Sequence, residues 1–400
     1  MKIIEINGTN YSSTGNIALN IAKTARSKGF EVFTCCKDSK KSREFNYDNQ
    51  IYIGNRLERI ISEQLSSITG YKDSFNFFGT RRFINKLKTL KPNLIHLHIM
   101  HDSFINMKMF FNYLKETNIP VVWTFHDNYA ITGQCAYFDS CKCEKWKQGC
   151  NNCPQLKRYP ESYFFDRTNY LWNKKNDLFN SLNNLTIVTP SNWLANNVKE
   201  SFLKDKTVKV INNGINLDTF KPTESNIRKE YDLVGKKIVL GVGYIWSKRK
   251  GIDDFIELSK RLSDEYQVVL VGTNDEIDKR LPKNILSIHR TYNQEELVKI
   301  YSCADVFVNP TYEDNLPTVN IEALACGTPV ITYNTGGSPE IINNQCGSVI
   351  EKGNIDSLAN EIIRVCTKKP YSINDCINQA RHFDMNDKFN EYTELFNTLI

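Results

Sequence analysis

No stretch of the 400 residues comes near the roughly 18 consecutive apolar residues that a membrane span requires. The opening MKIIEINGTN has an apolar core too short for a secretory signal and reads as a first strand. The expected location is therefore the cytoplasm, with the inner face of the plasma membrane as the place where a peripheral protein would work. Charge of one sign is also in short supply. Fifty-one Lys and Arg stand against 45 Asp and Glu, a net of +6. That excess is too small to argue for nucleic acid. It suits an enzyme that handles anionic nucleotides or touches an anionic membrane. The chain has no P-loop, no G-x-G-x-x-G fingerprint and no G-x-S-x-G elbow, so no nucleophile triad is evident. With 40% apolar and 24% charged residues it is globular, and its length fits two domains or one large α/β domain.

What is present in excess is cysteine, at twelve. Cys35, Cys36, Cys303, Cys326, Cys346, Cys366 and Cys376 are scattered and read as small apolar or surface residues. The other five fall within nineteen residues as C-x5-C-x-C-x6-C-x2-C, ending in Cys-Pro. In a reducing cytosol such a cluster favours zinc over disulfides. Cys135, Cys143, Cys150 and Cys153 are the chosen structural ligands, with Cys141 spare. A redox-inert or disulfide-bonded loop is the competing reading.

Strands alternate with helices twice. KIIEI, EVFTCC, NLIHLHI, PVVWTFH and LTIVTP are the strands of the first half, with helices expected near 55–69, 80–90, 104–117 and 166–182. The rhythm restarts after Gly214 with KIVLGVG, QVVLVG, ILSIHR, VFVNP and PVITY. NNGINLDTFKP is the candidate linker, and the tail after about 381 is helical. The expected fold is α/β: two Rossmann-like, doubly wound parallel-sheet domains, 1–208 and 209–380, with residues 381–400 as a final helix. Ligands of such sheets bind at the carboxyl ends of the strands, so a cleft between the two domains is the expected active site.

Residues 309–340, NPTYEDNLPTVNIEALACGTPVITYNTGGSPE, are the most informative stretch. They read as strand, turn, helix, strand, Gly-rich turn and helix start. Asp314 precedes the first helix and Glu322 lies inside it, eight positions later. Pro317 suits a first helical turn, Gly327 a C-terminal cap, and Ser338-Pro339 a second helix start. Two helix N-termini would offer free N–H groups to a phosphate. Gly336 and Gly337 would let backbone approach a ligand. Glu322 could accept hydrogen bonds from vicinal ribose hydroxyls.

This segment resembles the donor-binding signature of family 4 glycosyltransferases, which are retaining, nucleotide-sugar-dependent enzymes of the GT-B fold. The family places an acidic residue, seven intervening residues and a Glu on the following helix, then a Gly-Gly turn. Here Asp314, with Glu313 beside it, takes the first acidic position. The resemblance implies that Glu322 holds the ribose and that Asn315, Leu316, Pro317 and Thr318 line the sugar and phosphate. It implies that Gly15, in the turn SSTGN, lies over the donor phosphates, and that His126 sits by the anomeric centre. In GVGYIWSKRKG the family has an Arg after Gly243, at the position that is Tyr244 here. Lys250 fits the family's Lys, and Arg249 is the candidate substitute for the missing Arg. A C-terminal helix returning to the first domain is likewise implied.

A diphosphate leaving group needs such cations as its negative charge grows. The implied mechanism is front-face: the leaving phosphate helps deprotonate the acceptor hydroxyl, and no metal or other cofactor is required for catalysis. His96 and His98 share one strand face and form a His-x-His pair, read as structure or acceptor contact rather than metal. Residues 56–91 join apolar positions (Leu57, Ile60, Ile61, Leu65, Ile68, Phe75, Phe77, Phe78) to Arg81, Arg82, Lys86, Lys88 and Lys91. Basic amphipathic helices can lie on anionic membranes, although an apolar stripe is more often core.

The reading is a hexosyltransferase, UDP-sugar dependent before GDP, acting on a glycan or lipid-linked acceptor in bacterial surface polysaccharide (capsule or lipopolysaccharide) assembly. Two rivals stand beside it. One is a GT-B nucleotide-sugar epimerase or phosphorylase. The other is a zinc-stabilised nucleic-acid-binding protein, which the lack of a basic stripe disfavours.

Overall fold

The computed structural model describes every residue except Asn46 and Tyr292. The chain divides into two compact units. One comprises residues 1–212 with 388–400, and the other residues 213–387.

The first unit is built on seven strands: β1 (Lys2–Ile6), β2 (Glu31–Lys37), β3 (Gln50–Ile53), β4 (Leu94–Leu97), β5 (Val121–Thr124), β6 (Leu185–Thr189) and β7 (Thr207–Val210). They pair in the order β3-β2-β1-β4-β5-β6-β7, all parallel. The second unit holds β8 (Lys237–Val242), β9 (Tyr266–Val271), β10 (Ile285–Ile288), β11 (Val306–Asn309), β12 (Val330–Tyr333) and β13 (Gly347–Ile350), ordered β10-β9-β8-β11-β12-β13. Every pair there is parallel too.

Both orders reverse direction once, at β1/β4 and at β8/β11. Such switch points open a crevice at the strands' carboxyl ends, where doubly wound sheets bind ligands. The interior strands are mainly apolar because helices cover both faces. Ile3, Ile4, Leu94, Ile95, Val122, Val239, Leu240, Phe307 and Ile331 are fully or almost fully buried.

The structure departs from the sequence expectations in particular places. Strands β3, β7 and β13 and the helices Asn192–Lys199, Ile355–Lys368 and Ile373–Arg381 were not anticipated; the strands are only four residues long, and β7 alternates exposed with half-buried residues. The helix near the first turn starts at Ser12, so SSTGN is its first turn and not a loop before it. The helix after β11 spans Thr318–Ala325 with Pro317 as its cap, one residue outside rather than inside. Gly327, with φ +82°, ends it as expected.

The Gly-Gly turn does not enter an α-helix. It enters a four-residue 3₁₀ turn, Ser338–Ile341, whose N-cap is Gly337 and not Ser338. The second of the two α-helix N-termini expected of this segment is therefore absent. Among the described residues no helix is long and apolar enough to cross a membrane.

Candidate functional site

In the second unit the candidate residues converge at the β8/β11 switch point. Strand β8 runs out through Gly243, whose N–H donates to the Val271 carbonyl at 3.0 Å. Tyr244 and Ile245 then stand exposed, and Trp246 turns back into the core. A 3₁₀ turn, Lys248–Lys250, follows and closes on Gly251 with φ +74°. A Cβ on Gly251 would lie 2.3 Å from the Pro310 carbonyl oxygen, so the cationic turn packs directly on the chain leaving β11. Arg249 donates through Nη1 to the Glu313 carbonyl at 2.8 Å, and its own carbonyl accepts from Tyr312 N–H at 2.8 Å.

Lys250 Nζ and Asp314 Oδ2 form an ion pair at 2.5 Å, each side chain about a fifth to a quarter exposed. Two residues singled out separately in the sequence are thus partners. The expectation that Arg249 and Lys250 stand ready for a diphosphate needs amending. Both cations are anchored to the 313–314 backbone and carboxylate.

The Gly336 turn closes the same corner. Its φ is +55°, and a Cβ there would lie 1.7 Å from the Asp314 carbonyl oxygen. No side chain fits, and the backbone of 336 rests on that of 314. Gly337, at φ −88°, needs no glycine for its conformation. Asp254 accepts from Tyr312 OH at 3.0 Å and from Tyr333 OH at 2.6 Å, tying the loop after β11 to the end of β12.

The helix Thr318–Ala325 has no side-chain cap and no acidic residue in its first turn. Its leading N–H groups are the natural seat for an anion. Leu316 is buried beneath this turn, and Asn315 N–H donates to Asp314 Oδ1 at 3.1 Å. Glu322, one turn into the helix, accepts from Tyr301 OH at 3.0 Å, and burial pushes its carboxyl up from the ordinary range. Thr335 Oγ1 and Ser338 Oγ, both buried beside Gly336, have no protein hydrogen-bond partner.

The first unit carries a polar centre that the sequence only hinted at. Glu5 on β1 is 2% exposed. His98 Nε2 lies 2.5 Å from Glu5 Oε1 and His96 Nδ1 lies 3.0 Å from Oε2. His98 Nδ1 in turn lies 2.9 Å from His126 Nε2.

Burial alone would raise the Glu5 carboxyl, but His96 and His98 outweigh it and hold the pKa down to about 2. Burial, then the neighbouring His96, pushes His98 down to about 4. Burial with His98 and His96 pushes His126 down further. At neutral pH Glu5 is then an acceptor only and both imidazoles are neutral. The proton order follows: His98 donates from Nε2 to Glu5, so its Nδ1 accepts from His126 Nε2–H. His126 is left with Nδ1 as its basic nitrogen.

Sequence reading selected His126 but missed Glu5, which sits in an unremarkable strand, KIIEI. The signal that could have found it is a carboxylate inside an apolar strand (Ile3, Ile4 and Ile6 flank it) beside a parallel strand carrying His-x-His.

Beyond this lies a second set. His101 is held between Asp127 (3.1 Å) and Asp102 (3.3 Å), and Tyr159 OH donates to Asp102 at 2.8 Å. Burial would lower His101, but Asp127 and Asp102 raise it to about 10, so it is a fixed imidazolium. Gly15 lies in the first turn of Ser12–Ser27, where a Cβ would crowd Thr9 and Asn10 backbone at 3.0–3.1 Å; it permits the tight exit from β1. The four chosen cysteines, Cys135, Cys143, Cys150 and Cys153, line one small cavity, and Cys141 does not.

These features match known proteins along the whole chain. Residues 14–219 match the model described as Glycosyltransferase Family 4, and residues 223–383 that of Glycosyl transferases group 1. A protein of Escherichia coli strain K12, provisionally named the colanic acid biosynthesis glycosyl transferase WcaC, is 25% identical over 349 residues, 84% of each chain. The N,N'-diacetylbacillosaminyl-diphospho-undecaprenol alpha-1,3-N-acetylgalactosaminyltransferase of Campylobacter jejuni is 28% identical over 213 residues, half of this chain and 56% of that one. Among solved structures, Anabaena HepE in complex with UDP superposes over the full length of both chains with a TM-score of 0.71 at 16% identity. The sucrose-phosphate synthase of Thermosynechococcus elongatus does so with a TM-score of 0.72 at 18% identity, over 100% of this chain and 98% of that one. The two Rossmann-like units are those of the GT-B fold, and the chain belongs to glycosyltransferase family 4: it is a glycosyltransferase.

Proposed function

We propose that the enzyme transfers a hexose with retention from a nucleotide sugar, UDP-linked before GDP-linked, to a glycan or lipid-linked acceptor of a bacterial surface polysaccharide. The observation that carries this reading is the corner at β8/β11. There an uncapped helix start, a glycine-only contact at 336/314 and two anchored cations meet Glu322. The backbone N–H groups at 315–318 would hold phosphate, and Glu322 would accept the ribose hydroxyls. Lys250, aimed by Asp314, and Arg249, aimed by the Glu313 carbonyl, would offset charge growing on the leaving diphosphate. His126 would accept a donor-sugar hydroxyl at Nδ1.

Positioning and electrostatics then do most of the catalysis, and the leaving phosphate helps deprotonate the acceptor. The relatives named for colanic acid and for undecaprenyl-diphosphate acceptors, and the neighbour solved with UDP, support this assignment.

The acceptor side carries its own observation. The helix Arg56–Thr69 buries only Ser62 and Ser66, while Leu57 (71% exposed), Ile61 (58%), Leu65 and Ile68 face solvent. The stripe that is ordinarily core is outside. Exposed Phe164 and Phe165 adjoin it, since Tyr163 N–H donates to the Ser67 carbonyl at 2.8 Å. Phe77 and Phe78 are exposed, as are Arg81, Arg82, Lys86, Lys88 and Lys91. An apolar patch this size on a soluble surface marks an interaction face. With basic neighbours it suits the headgroup region of an anionic membrane that bears the acceptor.

Thermal shift against UDP-, GDP-, ADP- and dTDP-sugars tests the donor. A ligand at about 100 times its Kd should add roughly 2.7 kcal/mol. Selective stabilisation by one nucleotide is expected, and none by any would defeat the reading. NMR of the anomeric product decides retention. Co-sedimentation with phosphatidylglycerol vesicles, weakened by salt, tests the membrane face.

A further inference from the structure

We propose that Cys135, Cys143, Cys150 and Cys153 bind one zinc ion in a closed, four-thiolate structural site. All twelve cysteines are free thiols, and these four line a single cavity of about 20 Å³ together with Thr132, Trp146 and Pro154. A space of that size takes one water-sized sphere and little more.

Cys135 Sγ and Cys153 Sγ are 3.6 Å apart. This is near the roughly 3.8 Å edge of a tetrahedron whose sulfurs lie 2.3 Å from zinc. It is far beyond the roughly 2.05 Å of a disulfide. Cys143 and Cys150 line the same cavity but no three of these sulfurs lie within 4.8 Å of one another, so both would have to draw in on binding. Cys141 is otherwise engaged: its Sγ is 3.2 Å from the Phe138 carbonyl and accepts from Gln155 at 3.0 Å.

The surroundings are those of a thiolate site. Gly133 N–H donates to Cys150 Sγ at 3.1 Å. Residue 133 must be glycine for this approach, since a Cβ would lie 2.4 Å from the Thr168 carbonyl oxygen and 2.9 Å from Cys150 Cβ. Four thiolates and a dication carry a net negative charge. Lys145, anchored on the Asn151 and Asn152 carbonyls at 3.1 Å, supplies nearby positive charge. Such outer partners tune and orient metal-bound sulfur.

The role is mechanical. From Tyr129 to Asp166 the chain has only three three-residue 3₁₀ turns, Tyr129–Ile131, Asp139–Cys141 and Lys145–Lys147. It is tied to the rest of the unit by side chains and loop contacts, among them Lys175 Nζ on the Tyr129 and Thr132 carbonyls, Trp172 Nε1 on the Trp146 carbonyl, Tyr159 OH on Asp102 and Tyr163 N–H on the Ser67 carbonyl. A zinc knot would brace the segment that leaves His126 and Asp127, holding it against the helix Thr168–Asn180 without touching substrate.

The test is metal content of the full-length protein expressed in zinc-supplemented medium and purified without chelator. About one zinc per chain is expected from four thiolates. Cobalt exchange should give the charge-transfer and d–d bands of tetrahedral thiolate coordination. C141S should retain the metal, and C143S and C153S should lose it. Where either variant fails to fold, the cobalt spectrum of the unaltered protein decides. Any of four results overturns the proposal: less than about a tenth of an ion per chain in folded protein, iron with visible absorption in place of zinc, a Cys135–Cys153 disulfide in the peptide map, or loss of metal in C141S.

Discussion

The two units solve the same problem, placing polar groups at the carboxyl edge of a parallel sheet, in opposite ways. In the second unit the group is almost contiguous: Glu313, Asp314, the helix start at Thr318, Glu322 and Gly336 lie within 24 residues, and only the Lys248–Lys250 turn comes from elsewhere. In the first unit Glu5, His96, His98 and His126 come from three strands up to 121 positions apart. The contiguous corner is partly exposed, held by backbone contacts and salt-bridged cations. The dispersed one is a dry relay with a fixed proton order. Damage to the first should strike chemistry and spare the fold, whereas damage to the second should strike both.

The sharpest way to break that contrast is Lys250→Ala. Its Nζ meets Asp314 in a pair still reached by solvent, and such pairs contribute little to stability, typically below about 1 kcal/mol. Removal of a charge-stabilising donor from a reaction centre costs roughly 10²–10³ in kcat. We therefore expect turnover to fall by that factor with Tm almost unchanged. Near-normal turnover would remove Lys250 from the leaving-group site.

Glu5→Gln is the counterpart. It leaves His96 and His98 buried without their carboxylate acceptor, and losing hydrogen bonds to a charged group typically costs about 1.5–3 kcal/mol. Urea unfolding should show a loss of that order in the first unit. Because Gln can also donate, the orientation of His98 and hence the basic nitrogen of His126 is no longer fixed, so kcat should fall while KM for the donor changes less. Unaltered stability would mean that Glu5 is not the anchor of the relay.

This difference also explains what the sequence disclosed. The second-unit corner was readable because its residues are neighbours and because Gly, Pro and small-residue punctuation marks turns locally. What escaped was pairing at a distance, such as Lys250 with Asp314 across 64 positions, and the short 3₁₀ turn that replaced an expected helix at Ser338. In the first unit His-x-His and His126 were visible, but Glu5 was not, since only strand order puts β1 beside β4. The cysteines were chosen by spacing alone, and the cavity they line includes the same four.

A pH scan separates the two regions further. His101 has a folded pKa raised to about 10 by Asp127 and Asp102, against an ordinary 6.5. Its contribution is complete below about pH 6.5 and is lost as pH rises toward 10. His98 runs the other way: held down to about 4, it costs stability as pH falls from 6.5 through 4, and Glu5 adds its own loss below 4.5. His101 thus supplies a loss on the alkaline side, against which the buried Lys175, held down to about 7, works in the opposite sense, while His98 and Glu5 supply the loss on the acid side. Each kcal/mol lost on the alkaline side corresponds to a Tm lower by roughly 2–4 °C in a unit of this size. His101→Gln should flatten the alkaline limb and leave the acid limb. An alkaline limb that persists in this variant would exclude His101 as its source.

The smallest expected effect on the fold is the most telling for the surface. Ile61 is 58% exposed on a helix whose inward residues are serines. Ile61→Ser should change stability by no more than about 0.5 kcal/mol, as exposed positions do. If the stripe were core, the same change would cost several times that. With Leu57→Ser added, the protein should still fold with its donor corner intact, shown by an unchanged nucleotide-sugar thermal shift. It should also lose salt-sensitive binding to anionic vesicles. Retained binding would mean that Phe77, Phe78, Phe164 and Phe165 hold the membrane without the helix. A large loss of stability would mean instead that these side chains are covered in solution, and that the serine face is not the inward one.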